Sequence, residues 1–471
     1  MSIPADVLQK LRAAVGPHGY LDQPQDIEPF TTDHRRLYRG ATPLVVRPDS
    51  TAQVSEVLRV CNDAGVGVVP VGGNTSYCGA TAPSEDGSQI VLSMGRMRRI
   101  RAIDPANFTL VAEAGCVLAQ IQEAAASVDR LFPMSLGSEG SCQLGGNLST
   151  NAGGTAVLRY GMMRDLVLGL EVVLPDGRVL ENLSGLRKDN TGYDLRNLFI
   201  GAEGTLGVIT AAACKLYSRP ASTVTAFIAV AEPQAAVALL ARMRALTGDA
   251  VSTFELIPRI ALDLVLRHIE SAHDPLDAMH PWYVLLEIGL GRMDSGGRQA
   301  LEAELAAAME AGEALDAAIA ANEAQREAFW RLRELIPEAQ RREGASIKHD
   351  VSVATSKLPQ FIVEASALAA EIAPSGRIIA YGHLGDGNVH FNINASAGED
   401  RAAFLQLAPQ LHRAVHDLAA RFGGSFSAEH GVGRLKRDEL VRYKSATAID
   451  LMRAIKRAID PKGVMNPGKV L

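Results

Sequence analysis

The stretch Leu136–Gly154, LGSEGSCQLGGNLSTNAGG, constrains this chain most, with glycine at 137, 140, 145, 146, 153 and 154 among small polar residues. No helix or strand core needs that composition, because glycine loses the most backbone freedom on folding and offers nothing to pack. It suits an extended chain lying against a long ligand, with backbone, Ser, Thr and Asn groups making the hydrogen bonds. A second glycine segment, Gly72-Gly73-Asn74-Thr75-Ser76 with Gly79-Ala80, follows a strand predicted over Val66–Pro70. Bare N–H groups after a buried strand can converge on an anion, although the GxGxxG spacing of a Rossmann turn is absent. A third, Gly201–Gly207 (GAEGTLG), leads into a strand predicted over Val208–Leu216. Three such segments serving one domain imply a large dinucleotide rather than a small metabolite.

A second constellation lies in Tyr381–His390, YGHLGDGNVH, and in Ser427–Gly433, SAEHGVG. Two imidazoles and a carboxylate, with a position left open, suit a catalytic divalent metal such as zinc. Residues seven apart on one strand would point to opposite faces. The Gly385-Asp386-Gly387 turn breaks the strand, however, and could fold His383 and His390 together. Asp386 is a rival ligand, but turn carboxylates usually bond their own backbone. Glu429 and His430 are adjacent and diverge, so they do different jobs: Glu429 as ligand and His430 as base. Arg331 and Arg333 end a helix predicted over Asn322–Leu335, about 200° apart, so at most one faces a given pocket. Lys348 sits in a short strand-like run, SIKHDVSV, and Asn392 follows the second histidine.

The bulk properties exclude several classes. A chain of 471 residues is too long for one ordinary core. Its net charge of −6, with MGRMRRIR as the densest basic run, argues against a nucleic-acid groove. Five cysteines without CxxC spacing point to a reducing compartment and away from cysteine-ligated metal. The N-terminus lacks the apolar core of a signal peptide, and no uncharged apolar run approaches the roughly 18 residues of a membrane span. A cytoplasmic protein is expected, without a transmembrane segment. Ser50-Thr-Ala-Gln53 predicts a capping box opening a helix that Gly65 ends. Asp176-Gly177 predicts a hairpin, and Arg219-Pro220 closes the first domain.

The runs PVGGNTSYCGA, GSCQLGGNLSTNAGG, LGLEVVLPDG, LRKDNTGYDL, FIGAEGTLGVIT, YGHLGDGNVHFNI, SAEHGVG and NPGKVL carry a resemblance. From about residue 20 onward the chain resembles the vanillyl-alcohol-oxidase type of FAD-dependent oxidoreductase, and within it the D-2-hydroxyacid dehydrogenase branch. The resemblance implies an α+β fold. A two-subdomain PCMH-type FAD-binding domain would span 1–220 (core about 38–218), and an α/β substrate or cap domain 221–424. A C-terminal segment, 425–471, would return to the flavin.

By the same resemblance, Pro70, Gly72, Gly73, Asn74, Thr75, Gly79 and Ala80 contact FAD. So do Pro133, Gly137, Ser141, Gly146, Asn147, Thr150, Gly153 and Gly154, followed by Gly204, Ile209 and Asn466. The FAD is expected to be non-covalent, since the first loop carries no His and Cys78 has no matching role. The resemblance makes His383, His390 and Glu429 ligands of Zn²⁺ or a similar divalent ion. It makes His430 the base beside the substrate, and Arg333, Lys348 and Asn392 the contacts to substrate carboxylates. The implied activity is oxidation of a D-2-hydroxy acid, D-2-hydroxyglutarate foremost or D-malate, to the 2-oxo acid with hydride passing to FAD N5. D-lactate or glycolate is the alternative, because Pro337 stands where the hydroxyglutarate enzymes carry a Thr. An electron-transfer flavoprotein or a quinone would accept the electrons, and a homodimer is plausible.

Overall fold

The computed structural model describes residues 3–291 and 296–471, which divide into two compact units. The first runs to Gly154, continues over Gly161–Arg219 and ends with Glu429–Leu471; the second comprises Thr155–Tyr160 and Pro220–Ala428.

In the first unit, a four-stranded sheet orders Tyr20–Leu21, Val45–Val46, Gln89–Ser93 and Gly67–Val71, with the last three strands parallel. Helix Thr51–Ala64 lays Val54, Val57, Leu58 and Cys61 onto Val46, Val68, Ile90 and Leu92. Ser50 Oγ accepts from Gln53 N at 3.4 Å, but Gln53 Oε1 accepts from Asp49 N at 2.9 Å, one residue earlier than a reciprocal capping box would place it. Gly65 ends the helix at φ 65°. A five-stranded antiparallel sheet orders Ile100–Asp104, Thr109–Glu113, Val208–Lys215, Val167–Val173 and Val179–Asn182. The C-terminal segment returns to Gly67–Val71: Val68 N donates to Val464 O and Asn466 N donates to Val68 O, both at 2.8 Å.

The glycine-dense stretch is not extended throughout, because Leu144–Ser149 is a short helix. Leu144 and Leu148, one turn apart, are both buried. A Cβ at Gly145 would stand 2.8 Å from that of Ala114. Glycine there permits close packing against the neighbouring strand rather than an extended path, and it hides a two-leucine helical stripe from a compositional reading.

The second unit is built on a seven-stranded antiparallel sheet. Its order is Asp316–Ile319, Ser222–Val230, Trp282–Leu290, Val251–Pro258, Arg377–His383, Asn388–Asn394, Ser346–Ser352. Strand alternation separates two cores. Ala226, Ile228, Val284, Leu286, Phe254, Phe391 and Ile393 pack with helices Pro233–Thr247, Leu358–Ile372 and Ala408–Arg421. Phe227, Tyr283, Leu285, Ile257 and Tyr381 face the other way, onto helices Arg259–His268 and Glu323–Glu334. Among the described residues no helix is long and apolar enough to cross a membrane.

Candidate active site

In the second unit, a polar cluster follows from sheet register. In Asn388–Asn394 (NVHFNIN), Val389, Phe391 and Ile393 enter one core, so Asn388, His390, Asn392 and Asn394 share the opposite face. Register sets Lys348 opposite Asn392, Asp350 and Tyr381 beside His390, and Glu255 opposite His383. The turn between the histidines is a 3₁₀ turn, Leu384–Asp386, closed by Gly387 at φ 82°. It folds the strand back so that the His383 and His390 rings lie 5.4 Å apart. Asp386 Oδ1 accepts from Asn388 N at 3.1 Å, the backbone bond expected of a turn carboxylate.

Helix Glu323–Glu334 covers this face and separates its two arginines. Arg331 is exposed and donates to Ser271 Oγ at 2.9 Å, whereas Arg333 is buried. Arg333 Nε donates to Glu255 Oε2 at 2.6 Å, and its guanidinium lies over the Tyr381 ring at 4.8 Å. The other Glu255 oxygen bonds His383 Nδ1 at 2.5 Å. Burial pushes the Glu255 carboxyl up, but the charges of Arg333 and His383, with their hydrogen bonds, prevail and hold it at about 2. With Nδ1 bonded to that carboxylate, the other ring nitrogen of His383, Nε2, is not taken up by it.

Glu255, Asp350 and Gln340 escaped sequence reasoning. A carboxylate inside the apolar strand Val251–Pro258 was the available signal for the first. Asp350 Oδ1 accepts from Asn388 Nδ2 at 3.0 Å and stands 3.9 Å from His390 Nδ1. Gln340, fully buried, accepts from Asn392 Nδ2 at 3.1 Å, which leaves Asn392 Oδ1 buried without a partner. Lys348 is exposed on the same face, and Pro337 is exposed in helix Ile336–Arg342.

The remaining sequence-derived residues belong to the first unit. Glu429 Oε1 accepts from Gly154 N at 3.0 Å, and Gly154, at φ 110°, has no room for a Cβ because Ser135 O would lie 2.1 Å away. The His430 ring stacks on Tyr77 at 4.6 Å and 18°. The turn that follows is anchored by buried Glu203, which accepts from Val432 N at 2.7 Å and Gly433 N at 2.8 Å. Burial pushes Glu203 up to about 7 despite those two bonds.

The flavin segments offer unfilled capacity in the same unit. Ser76 Oγ, Gln143 Oε1 and Asn466 Oδ1 are buried without partners, and such orphans call for a ligand or water. Gly137, Gly140 and Gly146 have no atom within 4 Å of an added Cβ. Asn466 Nδ2 donates to Ala80 O at 3.2 Å and Glu203 O at 2.8 Å, tying the first loop, the third glycine segment and the tail together. Other polar groups are partly spent internally: Asn74 Nδ2 donates to Thr32 O, Ser141 Oγ to Ser138 O and Thr150 Oγ1 to Gly146 O. These residues fit a large dinucleotide.

Two glycines separate folding from binding. A Cβ at Gly73 would lie 2.2 Å from Ser141 O and 2.9 Å from Cys142 Cα, so Gly73→Ala is expected to cost stability, by about 1–3 kcal/mol. Gly146→Ala meets open space, and should keep the wild-type melting temperature while weakening FAD retention. Thermal unfolding alongside released-flavin fluorescence checks both.

A model of the FAD binding domain matches residues 42–182, and one of the FAD linked oxidase C-terminal domain matches residues 219–470. The rice (subspecies indica) "probable D-2-hydroxyglutarate dehydrogenase, mitochondrial" is 38% identical over 99% of this chain and 82% of its own length. The Arabidopsis thaliana D-2-hydroxyglutarate dehydrogenase is 36% identical over 97% and 80%. A putative D-lactate dehydrogenase of Schizosaccharomyces pombe is 36% identical over 98% and 89%. Among solved structures, p-cresol methylhydroxylase superposes with a TM-score of 0.76 at 17% identity, over 99% of this chain and 96% of that one. An alkyldihydroxyacetonephosphate synthase does so at 0.73 and 18%, over 98% and 84%. Both likenesses are of fold, and the expected α+β, PCMH-type architecture is borne out.

One expectation is overturned. The rice, Arabidopsis and bovine relatives are named mitochondrial, which corrects the cytoplasmic placement. That placement rested on reduced cysteines and a missing apolar signal segment. The five cysteines are buried and form no disulfide, but reduced thiols suit any reducing compartment and do not separate one from another. The two matched domain models and the near-full-length relatives agree: the chain belongs to the FAD-linked oxidases, in the branch of the D-2-hydroxyacid dehydrogenases, and is a flavin-dependent oxidoreductase.

Proposed function

We propose that the protein oxidises a D-2-hydroxy acid bearing a second carboxylate, D-2-hydroxyglutarate foremost and D-malate next, to its 2-oxo acid. One observation supports this above others: a single sheet face gathers Glu255, His383, His390, Asn392 and Lys348 under a buried arginine. Such a face suits an anionic substrate and a hard or borderline cation. His383 and His390 are the proposed metal ligands there, and Glu429 the third, by resemblance. Zinc or a similar ion is the reading that the donor set supports.

When bound, FAD would supply the hydride acceptor and a divalent ion would supply Lewis acidity toward the 2-hydroxyl. The chain's own residues do the rest. His430 takes the hydroxyl proton as general base. Arg333, beside Glu255, would bring a planar guanidinium to a carboxylate edge, while Lys348 brings a second, compact positive charge. Asn392 gives one amide N–H to Gln340 Oε1 and is proposed to offer the other to a substrate carboxylate. The contacts on the carboxylates, with His430 on the hydroxyl, would decide which face of C2 meets the flavin. The FAD is proposed to be non-covalent, with an electron-transfer flavoprotein or a quinone as acceptor and a homodimer as the assembly.

Pro337 supplies neither hydroxyl nor N–H where a Thr was expected, and this favours a second reading as a D-lactate or glycolate dehydrogenase. Anaerobic mixing with D-2-hydroxyglutarate, D-malate, D-lactate and their L-forms decides between them. Bleaching of oxidised flavin by the D-dicarboxylates is expected; bleaching by D-lactate alone would establish the second reading, and bleaching by L-acids would refute both. EDTA followed by desalting should suppress turnover at least 10-fold while the flavin spectrum persists, and Zn²⁺ should restore it. Full activity after chelation, with metal content measured as nil, would remove the metal from the mechanism.

A further inference from the structure

We propose that Lys469, with Arg434 and Arg437, is an anion contact of the first unit that neutralises negative charge carried by bound FAD. This rests on the flavin-dependent reading. Lys469 is 5% exposed, and its ammonium has a single long partner, Pro467 O at 3.4 Å. Arg434 lies over the Tyr38 ring at 4.7 Å. Arg437 gives Nη2 to Leu471 O at 2.8 Å, while its Nε is buried without a partner. Among the described residues no Asp or Glu side chain pairs with any of the three. Burial first, then the neighbouring Arg434 and Arg437 charges, push the Lys469 amine down to about 8.

A buried cation is ordinarily paired, because leaving it without a counter-charge is costly. Lys469 is the buried member and, without an acidic partner, describes a position awaiting an anion; Arg434 and Arg437, half-buried and engaged by Tyr38 and Leu471 O, add positive charge beside it. The backbone says which anion. Arg434 N donates to Cys78 O at 2.8 Å, inside the first glycine loop, and Val470 N donates to Gly433 O at 2.9 Å. Asn466, three residues before Lys469, bonds Ala80 at the end of that same loop. The cluster is thus fastened to the segment that receives the dinucleotide. FAD brings anionic charge in two places, its diphosphate and the ring once reduced, and charge near the ring tunes flavin electronics.

Lys469→Met and Lys469→Arg holoenzymes test the contact through two quantities, FAD dissociation followed by flavin fluorescence and the midpoint potential from dye-linked reductive titration. The Met variant is expected to lose FAD at least 10-fold more readily, or to shift the oxidised–reduced balance about tenfold, roughly a 30 mV fall for a two-electron couple. The Arg variant should restore either change. A lower potential with unchanged affinity for oxidised FAD places the charge at the reduced ring; equal weakening of both redox forms places it at the diphosphate. A Met variant with wild-type affinity and potential overturns the proposal. If that variant does not fold, Arg437→Gln reports the same quantities, and unchanged values overturn it equally. A wild-type protein that takes up no FAD would instead overturn the flavin reading itself.

Discussion

Glu255→Ala is expected to cost about 3–5 kcal/mol of stability and to abolish turnover. Its carboxylate is the counter-charge bonded to buried Arg333, with side chains 1% and 9% exposed, and it also holds His383 Nδ1. Removing one member of a buried pair leaves the other charged and unsolvated, which is the expensive case. Glu255 is held at about 2 against an ordinary 4.5. A depressed carboxyl contributes stability above its ordinary value and loses it as pH falls through its folded value, here from about 4.5 to 2, on the order of 3 kcal/mol. Urea unfolding at pH 7 and along an acid series measures both effects. The double variant Glu255→Leu/Arg333→Met should recover much of the stability, because no charge is left stranded, yet stay inactive. If Glu255→Ala unfolded at wild-type urea and turned over normally, the bridge would be ornamental.

That bridge also marks where sequence reading stopped. The glycine segments, the strand–loop–helix order around them and the His-turn-His stretch were legible because each has a local cause. Glycine composition, Gly65 in the left-handed region and Gly387 closing the turn are all readable within a few residues. The separation of Arg331 and Arg333 by about 200° likewise implied that at most one faces a given pocket, and only Arg333 is buried. Glu255 and Asp350 were not legible, since each acquires its meaning from a partner strand: Glu255 through its register with His383, Asp350 through its register with His390. Helix Leu144–Ser149 was missed for the opposite reason. Its signal is local, two leucines one turn apart, but the glycines between them lower helix propensity by about 1 kcal/mol each, and burial of Leu144 and Leu148 outweighs that. The period-two pattern of NVHFNIN is by itself enough to put His390 and Asn392 on one face.

His430→Ala should lower kcat by roughly 10²–10⁴-fold, the usual worth of a positioned general base, while leaving the oxidised flavin spectrum and the metal content intact. The His430 ring lies flat on Tyr77 at 4.6 Å, and Glu203 pins the two N–H groups just beyond it, at Val432 and Gly433. The imidazole is therefore presented by stacking and by an anchored turn. Tyr77→Ala should leave the base present but poorly aimed, with a loss of about tenfold and no change in the pH dependence. The pH profile separates these roles. A base acts only when deprotonated, so wild-type kcat/KM should fall on the acid side with a limb that His430→Ala lacks and Tyr77→Ala keeps. A primary isotope effect with C2-deuterated substrate should persist in all three proteins, since hydride transfer does not pass through the imidazole. Near-wild-type turnover by His430→Ala, with FAD and metal bound, would move the base elsewhere in the site, and the unchanged acid limb would show that another group carries it.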